Sequence, residues 1–162
     1  MEVLSQSELQ SLHQQVTLAL QEDLSAVDAD YDITAQLIAA DSHSNATIIT
    51  REDMVMCGMA WVNEVFQQLD ERVAIDWQVS DGEAVKAGTV LCKLSGPSRS
   101  LLTGERTALN FLQTLAATAT LTAQYTALLE GSNTRLLDTR KTLPGLRLAQ
   151  KYAVRCGGGK NH

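Results

Sequence analysis

Apolar residues recur at three- and four-residue spacing between positions 5 and 22, at Leu9, Leu12, Val16, Ala19 and Leu20. Gln, Ser and Glu fill the positions between, so the stretch reads as an amphipathic helix with one buried stripe. Ser5 or Ser7 can cap it, and Glu8 completes a capping box from Ser5. After an Asp-rich loop, the β-branched run from Ala46 to Arg51 predicts a strand, and Met54–Cys57 a second. Gly58 is a turn. Helical spacing returns over residues 59–69, through Trp61, Val62, Val65, Phe66 and Leu69.

The period changes to two at residues 73–79, where Val73, Ile75, Trp77 and Val79 share one face of a half-buried strand. Asp81–Gly82 is a turn, a strand follows over Thr89–Leu94, and Gly96–Pro97 is expected to end it. Pro97 suits the first turn of a long helix from about Ser98 to Glu130, which Gly104 is positioned to interrupt and Gly131 to stop. Its Ala- and Thr-rich middle permits close backbone approach, and Asn110, Gln113 and Gln124 make it too polar for a membrane span. Leu136 and Leu137 then predict a short strand, and the polar DTRKT leaves its C-terminal end. Pro144–Gly145 opens a last helix that Gly157–Gly159 ends. Strand, polar loop and helix in that order form the opening unit of a parallel α/β sheet or barrel.

Composition narrows the picture. The chain has 162 residues, 44% of them hydrophobic and 4% aromatic, which is globular rather than disordered. No secretory leader pattern opens it, and its three cysteines are scattered, so a reducing, cytoplasmic setting is expected. The net charge of −6 is unevenly divided: residues 1–130 hold 6 Lys/Arg against 18 Asp/Glu, and residues 131–162 hold 7 against the single Asp138. A basic block ending an acidic chain is a solvated tail or an anion-binding patch. With Tyr152 its one aromatic, it offers little to stack on nucleic-acid bases, and no nucleic-acid or membrane partner is expected.

The strongest chemical signal is Asp138-Thr139-Arg140-Lys141-Thr142. Ligands bind beyond the carboxyl ends of parallel strands, and two adjacent cations there make an anion site. Arg140 can grip a carboxylate with two parallel hydrogen bonds, Lys141 adds a mobile charge, and Asp138 can hold one of them. The bland alternative is a solvated turn. GERTALN (residues 104–110) places Arg106 near the head of the long helix, where it is either functional or a surface arginine paired with an acid. GGGKNH either approaches a phosphate or simply ends a helix. DGEAVKAGTVLCKLSGP (residues 81–97) has the turn spacing of biotinyl and lipoyl carriers but no acceptor lysine in an MKM or DKA tip, so it is read as structural. His13 and His43 read as surface residues, and Met54, Met56 and Met59 as core filler. No metal-ligand set is visible.

Taken together, DITAQLI (32–38), ATIITRE (46–52), DGEAVKAG (81–88), LTGERTALNFLQ (102–113), DTRKTLPGLR (138–147) and KYAVRCGGGKNH (151–162) resemble quinolinate phosphoribosyltransferases. Ala116–Ala117 departs from the Ser-Gly more common there. A related branch linked to molybdenum transport shares part of the DTRKT loop, but GERTALN with PGLR argues against it. The resemblance implies an α/β (α+β) fold: an N-terminal α/β sandwich domain over residues 1–115, then the first strand–helix unit of an incomplete α/β barrel over residues 116–162. It implies a glycosyltransferase that moves the phosphoribosyl group of phosphoribosyl pyrophosphate to quinolinate with decarboxylation. The products are nicotinate mononucleotide, pyrophosphate and CO2, on a route to NAD. It implies Arg106, Thr139, Arg140, Lys141 and His162 as substrate-binding residues, with Lys141 as the catalytic one. It implies a homodimer in which Arg106 reaches the neighbouring site. Mg2+ is implied as the companion of phosphoribosyl pyrophosphate, with its ligands outside this chain. The family's acidic ribose and magnesium ligands and its glycine-rich phosphate loop have no counterpart here, so the chain is expected to be an N-terminal portion, inactive alone. The competing expectation is a non-catalytic anion-binding or interaction module.

Overall fold

The computed structural model describes residues 4–25 and 32–162. Residues 26–31 of the Asp-rich loop lie outside the described set. The first helix, α1 (Gln6–Leu24), starts as expected: the Ser5 hydroxyl accepts from the Glu8 amide at 3.3 Å and the Glu8 carboxylate accepts from the Ser5 amide at 2.8 Å. Its buried stripe is Leu12, Val16, Leu20 and Leu24. Strands β1 (His43–Ile49) and β2 (Met54–Val55) precede α2 (Met59–Leu69), which has the predicted limits. Then come β3 (Ala74–Trp77), β4 (Ala84–Val85) and β5 (Val90–Pro97). The last helices are α3 (Ser98–Leu128) and α4 (Arg147–Cys156).

The main sheet is antiparallel in the order β1-β5-β3, and β2 pairs with β4 in a second, two-stranded sheet. Register enforces the alternation seen in the sequence: Ile75 sits opposite Leu94 and Trp77 opposite Cys92 toward the core, while Asp76–Lys93 and Ala74–Ser95 face outward. The helices cover the inner face, with Trp61, Val62, Val65 and Phe66 of α2 buried against α3. This is a mixed α/β fold. No helix among the described residues is long and apolar enough to cross a membrane.

Four expectations are corrected. Gly96–Pro97 does not break β5 after Leu94; the strand continues through both residues, with Pro97 opposite His43. Proline is tolerated at the last strand position, and glycine at 96 relieves crowding, since a Cβ there would lie 3.0 Å from the Val73 Cα. Gly104 does not interrupt α3: its missing side chain admits the Phe66 ring, which would come within 2.5 Å of a Cβ. Leu136 and Leu137 form one parallel bridge, Leu137 with Lys160, instead of a strand, because among the described residues only Lys160 pairs with them. Pro144–Gly145 precedes the last helix as a turn, and α4 starts at Arg147. The α3 helix is unbroken across residues 115 and 116.

Candidate functional site

Helix α4 buries Ala149, Tyr152, Ala153 and Cys156 and so fixes the basic end of the chain on the sandwich. Tyr152 packs its ring 5.5 Å from Trp61 and donates to Asp81 Oδ2 at 2.8 Å. Asp81 Oδ1 accepts from the Gly58 and Met59 amides at the start of α2. The turn read as structural therefore ties α2 to α4. Burial pushes the Asp81 carboxyl up, against the opposing bonds from Tyr152 and the two amides. Arg155 stacks over the Tyr152 ring and pairs with Glu8 of α1 at 2.8 Å.

The glycine run then returns the chain to α3. A Cβ on Gly157 would stand 2.4 Å from the Ala119 carbonyl oxygen, so only glycine lets the backbone pass so close to α3. GGGKNH thus ends a helix, as the blander reading had it, and also delivers Lys160 to Leu136 and His162 to Asp138. The Lys160 amide donates to Leu136 O at 2.9 Å and the Asp138 amide to Lys160 O at 3.0 Å.

Asp138 is the hub of this end. Its side chain is 4% exposed and takes four donors. Oδ2 accepts from Lys151 Nζ at 2.6 Å, and Oδ1 from the His162 amide at 3.0 Å and from His162 Nδ1. With the Asn161 amide oriented to satisfy both of its ends, Nδ2 donates to Asp138 Oδ2 at 2.9 Å and Oδ1 accepts from Arg155 at 2.9 Å. Burial alone would raise the Asp138 carboxyl, but the bonds from His162 and Lys151 prevail and hold it at about 2.

The predicted residues sit around this hub unequally. Thr139 Oγ1 accepts from the Lys141 amide at 2.9 Å, which sets the turn. Arg140 and Lys141 are exposed, and their side chains form no ion pair among the described residues. Asp138 holds neither of them. A cleft of about 390 Å³ beside the loop is lined by Ser11, Thr142, Pro144, Arg147 and Leu148, not by Arg140, Lys141 or His162. Arg106 is elsewhere: it donates to Asp23 near the end of α1 at 2.6 Å, whereas Gln15 of α1 donates to Gly145 beside the loop at 2.8 Å. Eight helical residues separate those two points, about 12 Å. Within this chain Arg106 is a surface arginine paired with an acid, and the structure does not bring it to the loop. Asp138 as a clamp on His162, and Lys151 altogether, were missed by sequence reasoning. The available signal was the lone acid in a basic block.

Other expectations resolve simply. His13 is a surface residue that pairs with Glu64 of α2 at 2.6 Å. Met56 is fully buried, with Met54 and Met59 partly so. Cys57, Cys92 and Cys156 are buried and form no disulfide. Among the described residues no group of three or more His, Cys, Asp or Glu is arranged to hold a metal ion.

Comparison with known proteins gives a consistent result. Residues 32–116 match the family model of the quinolinate phosphoribosyl transferase N-terminal domain, and residues 118–162 that of its C-terminal domain. A probable nicotinate-nucleotide pyrophosphorylase (carboxylating) of Bacillus subtilis is 40% identical over 131 residues, covering 81% of this chain and 45% of that protein. A quinolinate phosphoribosyltransferase (decarboxylating) of Nicotiana tabacum is 37% identical, covering 91% of this chain and 41% of its own length. Among solved structures, the nicotinate-nucleotide pyrophosphorylase of Francisella tularensis superposes with a TM-score of 0.89 at 47% identity, over 99% of this chain and 55% of that one. The chain therefore spans about half the length of the relatives it matches.

Proposed function

Because the chain belongs to the quinolinate phosphoribosyltransferase family, we propose that it carries the quinolinate-binding part of an enzyme that transfers phosphoribose from phosphoribosyl pyrophosphate to quinolinate. The products are nicotinate mononucleotide, pyrophosphate and CO2, in NAD biosynthesis. The observation that carries this reading is the pair of exposed cations Arg140 and Lys141, on a loop whose neighbouring carboxylate, Asp138, is already committed to Lys151 and His162. Cations free of internal partners are available to an anion, and quinolinate is a dianion.

In this reading Arg140 binds one carboxylate as a fork, Thr139 and His162 contribute polar contacts, and Lys141 is the catalytic residue. Lys141 offsets negative charge while the pyridine nitrogen attacks the ribosyl carbon and pyrophosphate leaves. The carboxylate next to that nitrogen departs as CO2, its bonding electrons remain on the ring carbon, and a proton takes its place. Fixed cations stabilise these changing charges where water is excluded. Mg2+ accompanies phosphoribosyl pyrophosphate in the reading, but the described residues offer no donor set for it, so no step is derived through it. We place the division between the two units at residues 115/116, the site of the working enzyme in a homodimer to which Arg106 contributes across the interface, and the protein in the cytoplasm.

Calorimetric titration of the chain with quinolinate tests the reading. Saturable binding that disappears in Arg140→Ala is expected. No binding in the millimolar range would overturn it in favour of a non-catalytic interaction module.

A further inference from the structure

We infer that Asp138 and Lys151 are positioning residues that fix the tautomer and orientation of the His162 ring. The inference rests on reading His162 as a substrate contact, which makes its free ring nitrogen the functional atom.

A carboxylate at a folded-state value of about 2 is an acceptor only. The hydrogen in its short bond to the His162 ring therefore belongs to Nδ1. In the neutral ring that leaves Nε2 unprotonated, and it is the one ring nitrogen not engaged by Asp138. A second bond, from the His162 amide to the same Oδ1 at 3.0 Å, fixes the backbone that carries the ring. Lys151 Nζ lies 3.2 Å from Nδ1, but both are donors, so they share the carboxylate and are not bonded to each other. Lys151, 16% exposed, occupies Oδ2 at 2.6 Å, which keeps the carboxylate from rotating away from the ring. Asn161 closes the remaining side of Oδ2. The arrangement is a second layer of hydrogen bonds behind a functional histidine. In water a free imidazole favours the other tautomer, so this geometry has a spectroscopic signature that a purely structural contact would lack.

The test is long-range proton–nitrogen correlation of the 15N-labelled chain near pH 8. The His162 signals are assigned against His13→Gln and His43→Gln variants, since the chain has three histidines. The Nδ1-protonated form is expected for His162. Asp138→Asn exchanges a charge-assisted bond for a neutral one and should lower the ratio of that tautomer to the other roughly fivefold. Lys151→Met should keep the tautomer but broaden the ring signals. An Nε2-protonated His162 in the parent chain overturns the inference. So does an unchanged ratio in Asp138→Asn, and the parent spectrum decides even if that variant does not fold. Added quinolinate separates this result from the functional reading. The expected tautomer with His162 signals unmoved by quinolinate upholds the positioning and defeats the reading. Signals that move, on a ring carrying its proton at Nε2, do the reverse.

Discussion

Asp81, in the sandwich, and Asp138, beneath the cationic loop, are carboxylates taken largely out of water, yet one is raised above the ordinary range and the other is held at about 2. Both accept several hydrogen bonds. The difference lies in depth, since protein surrounds Asp81 far more completely than Asp138, and in the donors. Asp81 is met by two amides and the Tyr152 hydroxyl, all neutral, and these do not offset the loss of hydration. Asp138 is met by an ammonium group as well as the His162 ring, and charge-assisted bonds offset that loss with a margin. Counting hydrogen bonds would rank the two sites alike; depth of burial and the charge of the donor together decide. The sandwich uses its aspartate as a structural tie between helices, and the basic end uses its aspartate to organise cations around an open loop.

If the two regions fold as one unit, the largest loss comes from the wall they share. Trp61 is 2% exposed, packs on Tyr152 and donates to Gln15 of α1. Trp61→Ala should cost about 3–5 kcal/mol and move both regions together. Urea unfolding followed by Trp77 fluorescence and by α4 amide signals checks it. Two separate transitions in the parent chain would show that the regions are independent.

The joint between α4 and α3 comes next. Gly157→Ala drives a methyl against a backbone carbonyl that no rotamer can clear, and should cost about 1–3 kcal/mol. Amide exchange in α4 should accelerate more than exchange in α2. Equal acceleration would mean that the sandwich depends on this joint as much as the basic end does.

The two carboxylates then separate by pH. Asp138 has a folded-state value below its unfolded one, so its stabilisation, about 2 kcal/mol, is present above about pH 4 and is lost as pH falls through 2. Asp138→Asn should be less stable than the parent at neutral pH and equal to it near pH 2. Asp81 has the opposite sign: its folded-state value is raised, so any advantage of Asp81→Asn over the parent should grow as pH rises through that value. Parallel stability–pH curves for the two variants would refute the contrast.

What the sequence disclosed follows the same division. The sandwich was legible because its signals are local. The three- and four-residue spacing bounded α2 at Met59 and Leu69, and the alternation at Val73–Val79 became the inner face of β3. Continuation of β5 through Gly96 was not legible, because it depends on the close passage of Val73, the residue that leads into β3. In the basic end the cations were visible as a cluster, but their partners were not. Asp138 lies two and three residues from Arg140 and Lys141, and adjacency suggested a bond to one of them. The fold gives it instead to residues 13 and 24 positions away, through a bridge and a glycine turn that carry no periodic signal.

The smallest effect is expected at Arg106, and it distinguishes two kinds of arginine in one chain. Its bond to Asp23 is short, but the guanidinium is 69% exposed, so solvent and salt screen the pair while the long side chain loses freedom in forming it. Arg106→Ala should leave the melting temperature unchanged within error, at low salt and at high salt. Arg140→Ala should do the same, since its side chain forms no ion pair among the described residues. The two then part on ligand: Arg140→Ala should abolish quinolinate binding by the chain, whereas Arg106→Ala should preserve it in the monomer and weaken it only where two chains associate. A drop of several degrees in Arg106→Ala would mean that the Asp23 pair is structural. That would weigh against an arginine held ready for a neighbouring site, because a side chain needed to fix α1 is not free to leave it.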